Sequence, residues 1–189
     1  MINRTVQQAS HDLVFIGDSL IADNNWQARM PFCTIHNYGV PGATTDDLLS
    51  SLVNLGDRVP SPAAILIMIG TNDLLSGKIG FVDTIRQIVI QLSQNFPTAE
   101  IIVTSLLPMQ LSSPNIEAIQ WINEDIKTMT MQTGSCFLDI FAKFTLAGDG
   151  LFQEDGVHLT SRAYDIWTKS LLEHVAFLDV VEVLEPDAA

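Results

Sequence analysis

Five residues of this sequence stand where their chemistry could be used: Ser19 in VFIGDSLIADNN, Gly42 in NYGVPGATT, Asn72 in GTND, and Asp155 with His158 in DGVHLT. An alcohol is a poor nucleophile at neutral pH, so a serine that attacks a carbonyl needs a base to take its proton as the bond forms. A histidine serves as that base when its second ring nitrogen has an acceptor, which fixes the tautomer and stabilises the imidazolium. The D-x-x-H spacing lets one turn present Asp155 and His158 to each other, with Gly156 relaxing the backbone between them. The tetrahedral intermediate carries an oxyanion, which needs N–H donors aimed at it in advance. Donors of that kind are the backbone N–H of Ser19 at a helix start, the unhindered N–H of Gly42 and the uncharged side-chain amide of Asn72. Each residue also has a plainer reading. Ser19 can cap the following helix, Gly42 can be a turn glycine, Asn72 an Asx-turn residue, and Asp155 with His158 a surface loop ahead of a helix.

The elements that would position these residues are legible as short apolar runs with turn signals between them: LVFIGD from 13, CTIHNYG from 33, AAILIMIG from 63, EIIVTSLLP from 100 and CFLDIF from 136. Near-continuous apolar strands separated by helical patterns predict a parallel sheet covered on both faces. Leu48, Leu52 and Leu55 share one helical face, Phe81, Ile85, Ile88 and Leu92 a second, and Ile119, Ile122, Ile126 and Met129 a third. Gly56 and Pro97 are expected to stop the first two helices, and Thr160 to cap a last one that buries Tyr164, Trp167, Leu171 and Val175. The order β-α-β-α-β-α-β-α-β-α predicts an α/β fold, a three-layer α/β/α sandwich with right-handed crossovers. Ligands of such sheets bind at the carboxyl ends of the strands. Ser19 follows the first strand and the other clusters follow strands or lie in the last loop, so one sheet edge would gather them. The 189 residues read as a single domain, 1–189, with about 180–189 as a frayed acidic tail.

In this order the four clusters resemble the SGNH hydrolases, the GDSL family of esterases and lipases, over nearly the whole chain. The resemblance implies that Ser19 is the nucleophile, that Asp155 and His158 complete the triad, and that Ser19, Gly42 and Asn72 form the oxyanion hole. It implies a flavodoxin-like, five-stranded parallel sheet in the order 2-1-3-4-5, and it implies neither cofactor nor metal. The expected activity is that of a serine esterase hydrolysing small carboxylic esters through an acyl-enzyme. Leu74, Leu75, Leu107 and Met109, in loops beyond the donors, would line a groove for short to medium acyl chains or else fill core beneath those loops. An acyltransferase, a thioesterase or a carbohydrate acetylesterase could use the same site, and a non-catalytic acyl-binding module is the reading from another class.

Composition narrows the partners. The chain is 47% hydrophobic, and its 22 acids against 9 bases leave a formal net charge of -13. With no basic run to displace counterions, nucleic acid and stable docking on anionic membranes are excluded, and a small-molecule ester remains. The apolar run Ala63 to Ile69 falls far short of the roughly 20 residues that span a bilayer. The segment MINRTVQQASHDLVFIGD has neither a secretory apolar region nor a small-residue cleavage site, so the expected location is cytoplasmic. Cys33, Cys136, His11, His36 and His174 lack metal-ligand spacing. The cysteines are expected to be buried thiols, which the strand order implied by the resemblance would put at the starts of opposite edge strands, and those three histidines to be structural. Asp18 and Asp73 belong to the family strings, and loop hydrogen bonding accounts for them as well as chemistry does; packing in core or groove accounts for Trp26, Trp121 and Trp167. The turn GDSL holds no run of donors that could cradle a flavin phosphate.

Overall fold

The computed structural model describes residues 12–59, 61–111 and 114–184. Strands β1 (Asp12–Gly17), β2 (Thr34–Gly39), β3 (Ala64–Met68), β4 (Glu100–Thr104) and β5 (Cys136–Leu138) form one sheet in the order β2-β1-β3-β4-β5. Every pairing is parallel, so the order and direction are those the resemblance implied. All five residues of β3 are buried, which is why its run is uninterruptedly apolar. β2 is an edge strand, and its partly exposed residues accommodate the His36, Asn37 and Tyr38 of its sequence.

Between β1 and β2 lie α1 (Ser19–Ala22) and α2 (Trp26–Arg29); before β3, α3 (Thr45–Ser51) and α4 (Leu55–Arg58); before β4, α5 (Thr71–Leu75) and α6 (Val82–Asn95). Helix α7 (Ile116–Thr133) precedes β5, and α8 (Ile140–Ala147) and α9 (Ser161–Leu184) follow it. The apolar stripes do what their spacing predicts. Leu48, Leu52, Leu55, Phe81, Ile85, Ile88, Leu92, Ile119, Ile126 and Met129 are all buried, with Ile122 partly so. On α9, Tyr164, Trp167 and Leu171 are buried and Val175 packs against them half-covered. Thr160 Oγ accepts from the N–H of Ala163 at 3.4 Å, the expected cap. Among the described residues no helix is long and apolar enough to cross a membrane.

Several expectations need correction. Gly56 does not stop a helix; it lies within α4, and the interruption comes earlier, as a 3₁₀ turn over Leu52–Asn54. That tighter winding eclipses residues three apart, which keeps both Leu52 and Leu55 on the core. The run CFLDIF leaves the sheet after Leu138, because the Asp139 carboxylate accepts the N–H of Ala142 at 2.9 Å and starts α8 there. Trp121 is 77% exposed, whereas Trp26 and Trp167 are buried. Two residues beyond Ile119 on α7, it points about 200° away from the buried stripe. Cys33 and Cys136 are only half-buried, at opposite edges of the sheet. Burial, and then a bond from its Sγ to Glu100 Oε1 at 2.7 Å, push the Cys136 thiol up to about 12, so it is no nucleophile at neutral pH. His36 lies in β2 and His174 in α9; His11 and 185–189 of the expected tail lie outside the described residues.

An aromatic cluster fixes the first turn after β1. The Trp26 ring meets Phe15, Tyr164 and Trp167 edge-on at centroid distances of 4.9, 5.6 and 5.1 Å. Each such pair adds about 0.5–1.5 kcal/mol beyond area burial. Trp26 Nε1 donates to Ile21 O at 2.8 Å and the Tyr164 hydroxyl to Leu20 O at 3.0 Å. The single turn of α1 is thereby anchored from α2 and α9 at once.

Candidate active site

Ser19 is the first residue of α1, directly beyond β1, and the cap of that helix is its neighbour. The Asp18 carboxylate accepts the Leu20 N–H at 2.9 Å. With capping assigned to Asp18, the Ser19 hydroxyl is not spent on its own helix. Asp18 is fully buried, and that burial pushes its carboxyl up to about 6 against the pull of the Leu20 N–H.

The Ser19 Oγ lies 3.1 Å from His158 Nε2, across 139 residues of sequence. The other ring nitrogen, Nδ1, lies 2.5 Å from Asp155 Oδ2. Asp155 Oδ1 accepts the backbone N–H groups of Val157 and His158, each at 2.9 Å, so the carboxylate builds the turn that carries its partner. The His158 bond first, and then those two N–H groups, hold the Asp155 carboxyl down at about 2. Gly156, at φ +71, passes so close to the loop after β4 that a Cβ would stand 2.7 Å from Gln110 O. Gln110 N donates back to Gly156 O at 2.8 Å, and Gln153 N to His158 O at 2.8 Å. Those bonds keep the turn in place beside α1.

On the donor side, Val40 N bonds Gly17 O at 2.9 Å, which brings the loop after β2 to the end of β1. Gly42 is exposed at φ +79, and no atom lies within 4 Å of where a Cβ would be, so the backbone there is open to a ligand. Asn72, in the first turn of α5, donates from Nδ2 to Ala43 O at 2.9 Å, which orients its amide beside the Gly42 loop. An amide nitrogen has two hydrogens, so a second donor remains. Asp73 locks the same loop from below. Fully buried, it accepts the N–H and the hydroxyl of Thr45, both at 2.8 Å, and pairs with Lys78 Nζ at 3.1 Å. Its expected loop role is therefore a structural tie between α3 and α5.

Leu74 and Leu107 are buried at 7% and 3%, and so belong to the core beneath the loops. Leu75 is exposed and Met109 half-exposed, so of the four residues expected to line a groove only these two present surface. One neighbour escaped the sequence reading altogether. The Asp23 carboxylate, 53% exposed, has an oxygen 3.9 Å from His158 Nε2. Its place four residues after Ser19 was the available signal.

Such an arrangement can deprotonate a hydroxyl through an imidazole whose tautomer is fixed by a carboxylate, with the Gly42 loop tied to the end of β1 and the Asn72 amide tied to that loop. Against known proteins, the family model of the GDSL-like Lipase/Acylhydrolase family matches residues 15–166. No curated protein matches the chain by sequence. Among solved structures, a GDSL-like lipase from Bacteroides thetaiotaomicron aligns with a TM-score of 0.71 at 20% identity, over 89% of this chain and 89% of that one. An acetylxylan esterase from Geobacillus stearothermophilus gives 0.69 at 20% identity, over 86% of this chain and 92% of that one. An alpha/beta hydrolase from the metagenome of Lake Arreo gives 0.69 at 16% identity, over 86% and 93%. At these identities the structural likeness speaks for the fold alone.

Proposed function

The chain belongs to the GDSL-like lipase/acylhydrolase family, and from that premise we propose that it is a serine esterase acting on small carboxylic esters through an acyl-enzyme on Ser19. The observation that carries the reading is the continuous chain of contacts from Ser19 Oγ to His158 Nε2, at 3.1 Å, and from Nδ1 to Asp155 at 2.5 Å. Ser19 Oγ attacks the ester carbon as Nε2 takes its proton. The oxyanion forms against the N–H groups of Ser19 and Gly42 and the amide of Asn72. Collapse of the intermediate breaks the bond to the alcohol oxygen, which leaves with the proton from Nε2. Water then repeats the sequence on the acyl-enzyme, releasing the acid and restoring Ser19. Asp155 stays ionised throughout, since its carboxyl is held at about 2.

An organophosphonate probe followed by peptide mass spectrometry tests the nucleophile directly. Labelling at Ser19 is the expected result, and labelling elsewhere or none overturns the reading. Asn72→Ala is expected to lower kcat by about 100- to 1,000-fold, the usual loss for one oxyanion donor. A fall in KM-dependent binding alone, with kcat intact, would contradict that role. We infer a preference for short to medium acyl chains, with exposed Leu75 and half-exposed Met109 as the apolar surface that would meet them. In a nitrophenyl ester series from acetate to laurate, activity is expected to peak at the short end. A flat profile would contradict a shaped acyl surface.

A further inference from the structure

Helix α1 is a single turn with Ser19 at its start and Asp23 at its end, where the Asp23 N–H bonds Ser19 O at 2.9 Å. Residues four apart on a helix share a face, so the hydroxyl and the carboxylate look the same way. His158 confirms it from across the cleft, with Nε2 3.1 Å from Ser19 Oγ and 3.9 Å from Asp23 Oδ2. If His158 is the base, Nε2 must also hand its proton to the departing alcohol, so that alcohol has to occupy the space in contact with Nε2. Asp23 borders this space.

Among the described residues no lysine or arginine pairs with Asp23. Among the described residues its one ion-pair contact is with His158. Arg29, close by in α2, is already committed: Nε to Asn24 Oδ1 at 2.9 Å, Nη2 to Ser161 Oγ at 3.0 Å, and Nη1 to Asp165. Lys78 is held between Asp46 at 2.8 Å and Asp73 at 3.1 Å. The other carboxylates facing the imidazole, Asp155 and the buried Asp18, deepen the negative potential. The whole chain, at a formal net charge of -13, adds to it.

We propose that Asp23 is a specificity-determining residue on the leaving-alcohol side of the site, and that it selects esters whose alcohol carries a positively charged ammonium group. The proposal rests on the esterase reading above and adds the chemical class of the alcohol. A cation on the departing alcohol supplies the missing counter-charge at Asp23, whereas an anionic alcohol is repelled by the same field.

Two acetate esters of equal shape test this, 2-(trimethylammonio)ethyl acetate and its neutral carbon isostere 3,3-dimethylbutyl acetate. At low ionic strength wild-type kcat/KM is expected to favour the cationic ester by about three- to fivefold, as befits one partly exposed charge pair. The ratio is expected to fall towards one in 0.5 M salt, where charges are screened within about 4 Å. Asp23→Asn should bring it close to one at low salt, and Asp23→Glu should keep it above one. A wild-type ratio near one, a ratio insensitive to salt, or a ratio unchanged in Asp23→Asn overturns the proposal. Should Asp23→Asn not fold, Asp23→Ser takes its place, with the same ratio close to one expected at low salt and an unchanged ratio overturning the proposal. Failure of the esterase reading looks different: neither ester is hydrolysed and the phosphonate leaves Ser19 unlabelled, and both inferences fall together.

Discussion

Ser19→Ala is expected to lower ester hydrolysis by about 10⁴- to 10⁶-fold in kcat, and His158→Ala by a comparable factor. In the proposed mechanism the two residues act as one unit: the imidazole has no proton to take without the hydroxyl, and the hydroxyl attacks poorly without the imidazole. The double variant is therefore expected to be no slower than either single one, because the residual rate comes from the oxyanion donors and binding alone. Folding should be spared. The Ser19 side chain bonds His158 Nε2, while the cap of α1 is the Asp18 bond to Leu20, so alanine removes no support from the helix. A change in stability within about 0.5 kcal/mol is the expectation, read from thermal unfolding. Steady-state kinetics with nitrophenyl acetate, at enzyme purity sufficient to see a 10⁴-fold loss, make the comparison. A Ser19→Ala variant within tenfold of wild type would sink the nucleophile.

Asp155→Asn comes next in size, with an expected fall of about 10⁴-fold in kcat from the tautomer it imposes. In the wild type Asp155 Oδ1 accepts the Val157 and His158 N–H groups, so Oδ2 faces Nδ1 and requires a proton there. That leaves Nε2 unprotonated and able to accept from Ser19. In the variant the carbonyl oxygen takes over the two backbone N–H groups, and the amide NH₂ turns to Nδ1. Nδ1 must then be the acceptor, the proton moves to Nε2, and the base is lost with the turn intact. The pH profile carries a second check. The Asp155 carboxyl is held below its ordinary value, at about 2, so it stays charged as pH falls until it nears that value. An acid limb in wild-type kcat/KM above pH 4 therefore does not come from Asp155, whereas the buried Asp18 carboxyl, pushed up to about 6, falls in that range. An Asp155→Asn variant of near-normal kcat would contradict a histidine base oriented by this carboxylate.

Much of this machinery was legible before any fold was known, and the reason is distance along the chain. Asp155 and His158 are three residues apart, so one turn brings them together whatever the remainder does. The buried stripes on α6 and α7, and the five apolar strands, follow from helical and strand periods that depend on a few neighbouring residues. Boundaries were less legible. The 3₁₀ turn at Leu52–Asn54 and the start of α8 at Asp139 were set by which side chains the core and the cap could satisfy. Trp121 and Leu107 show the same limit from opposite sides. One large apolar residue is exposed and one loop leucine is buried, because burial is decided by what other elements lie above a residue.

By itself, then, the sequence determined the main element types, a parallel sheet covered on both faces and the residue kinds gathered at its carboxyl edge, because these rest on local periodicity and on strand ends that a parallel sheet must align; the order of the strands was what the family resemblance implied. Only the tertiary structure decided that Asp18, not Ser19, caps α1, and that Ser19 meets an imidazole 139 residues away. It alone put Asp73 under the Gly42 loop through Thr45 and placed Asp23 beside Nε2. Contacts of that range depend on how crossovers pack across the sheet, to within an ångström, and no spacing along the chain encodes such a distance.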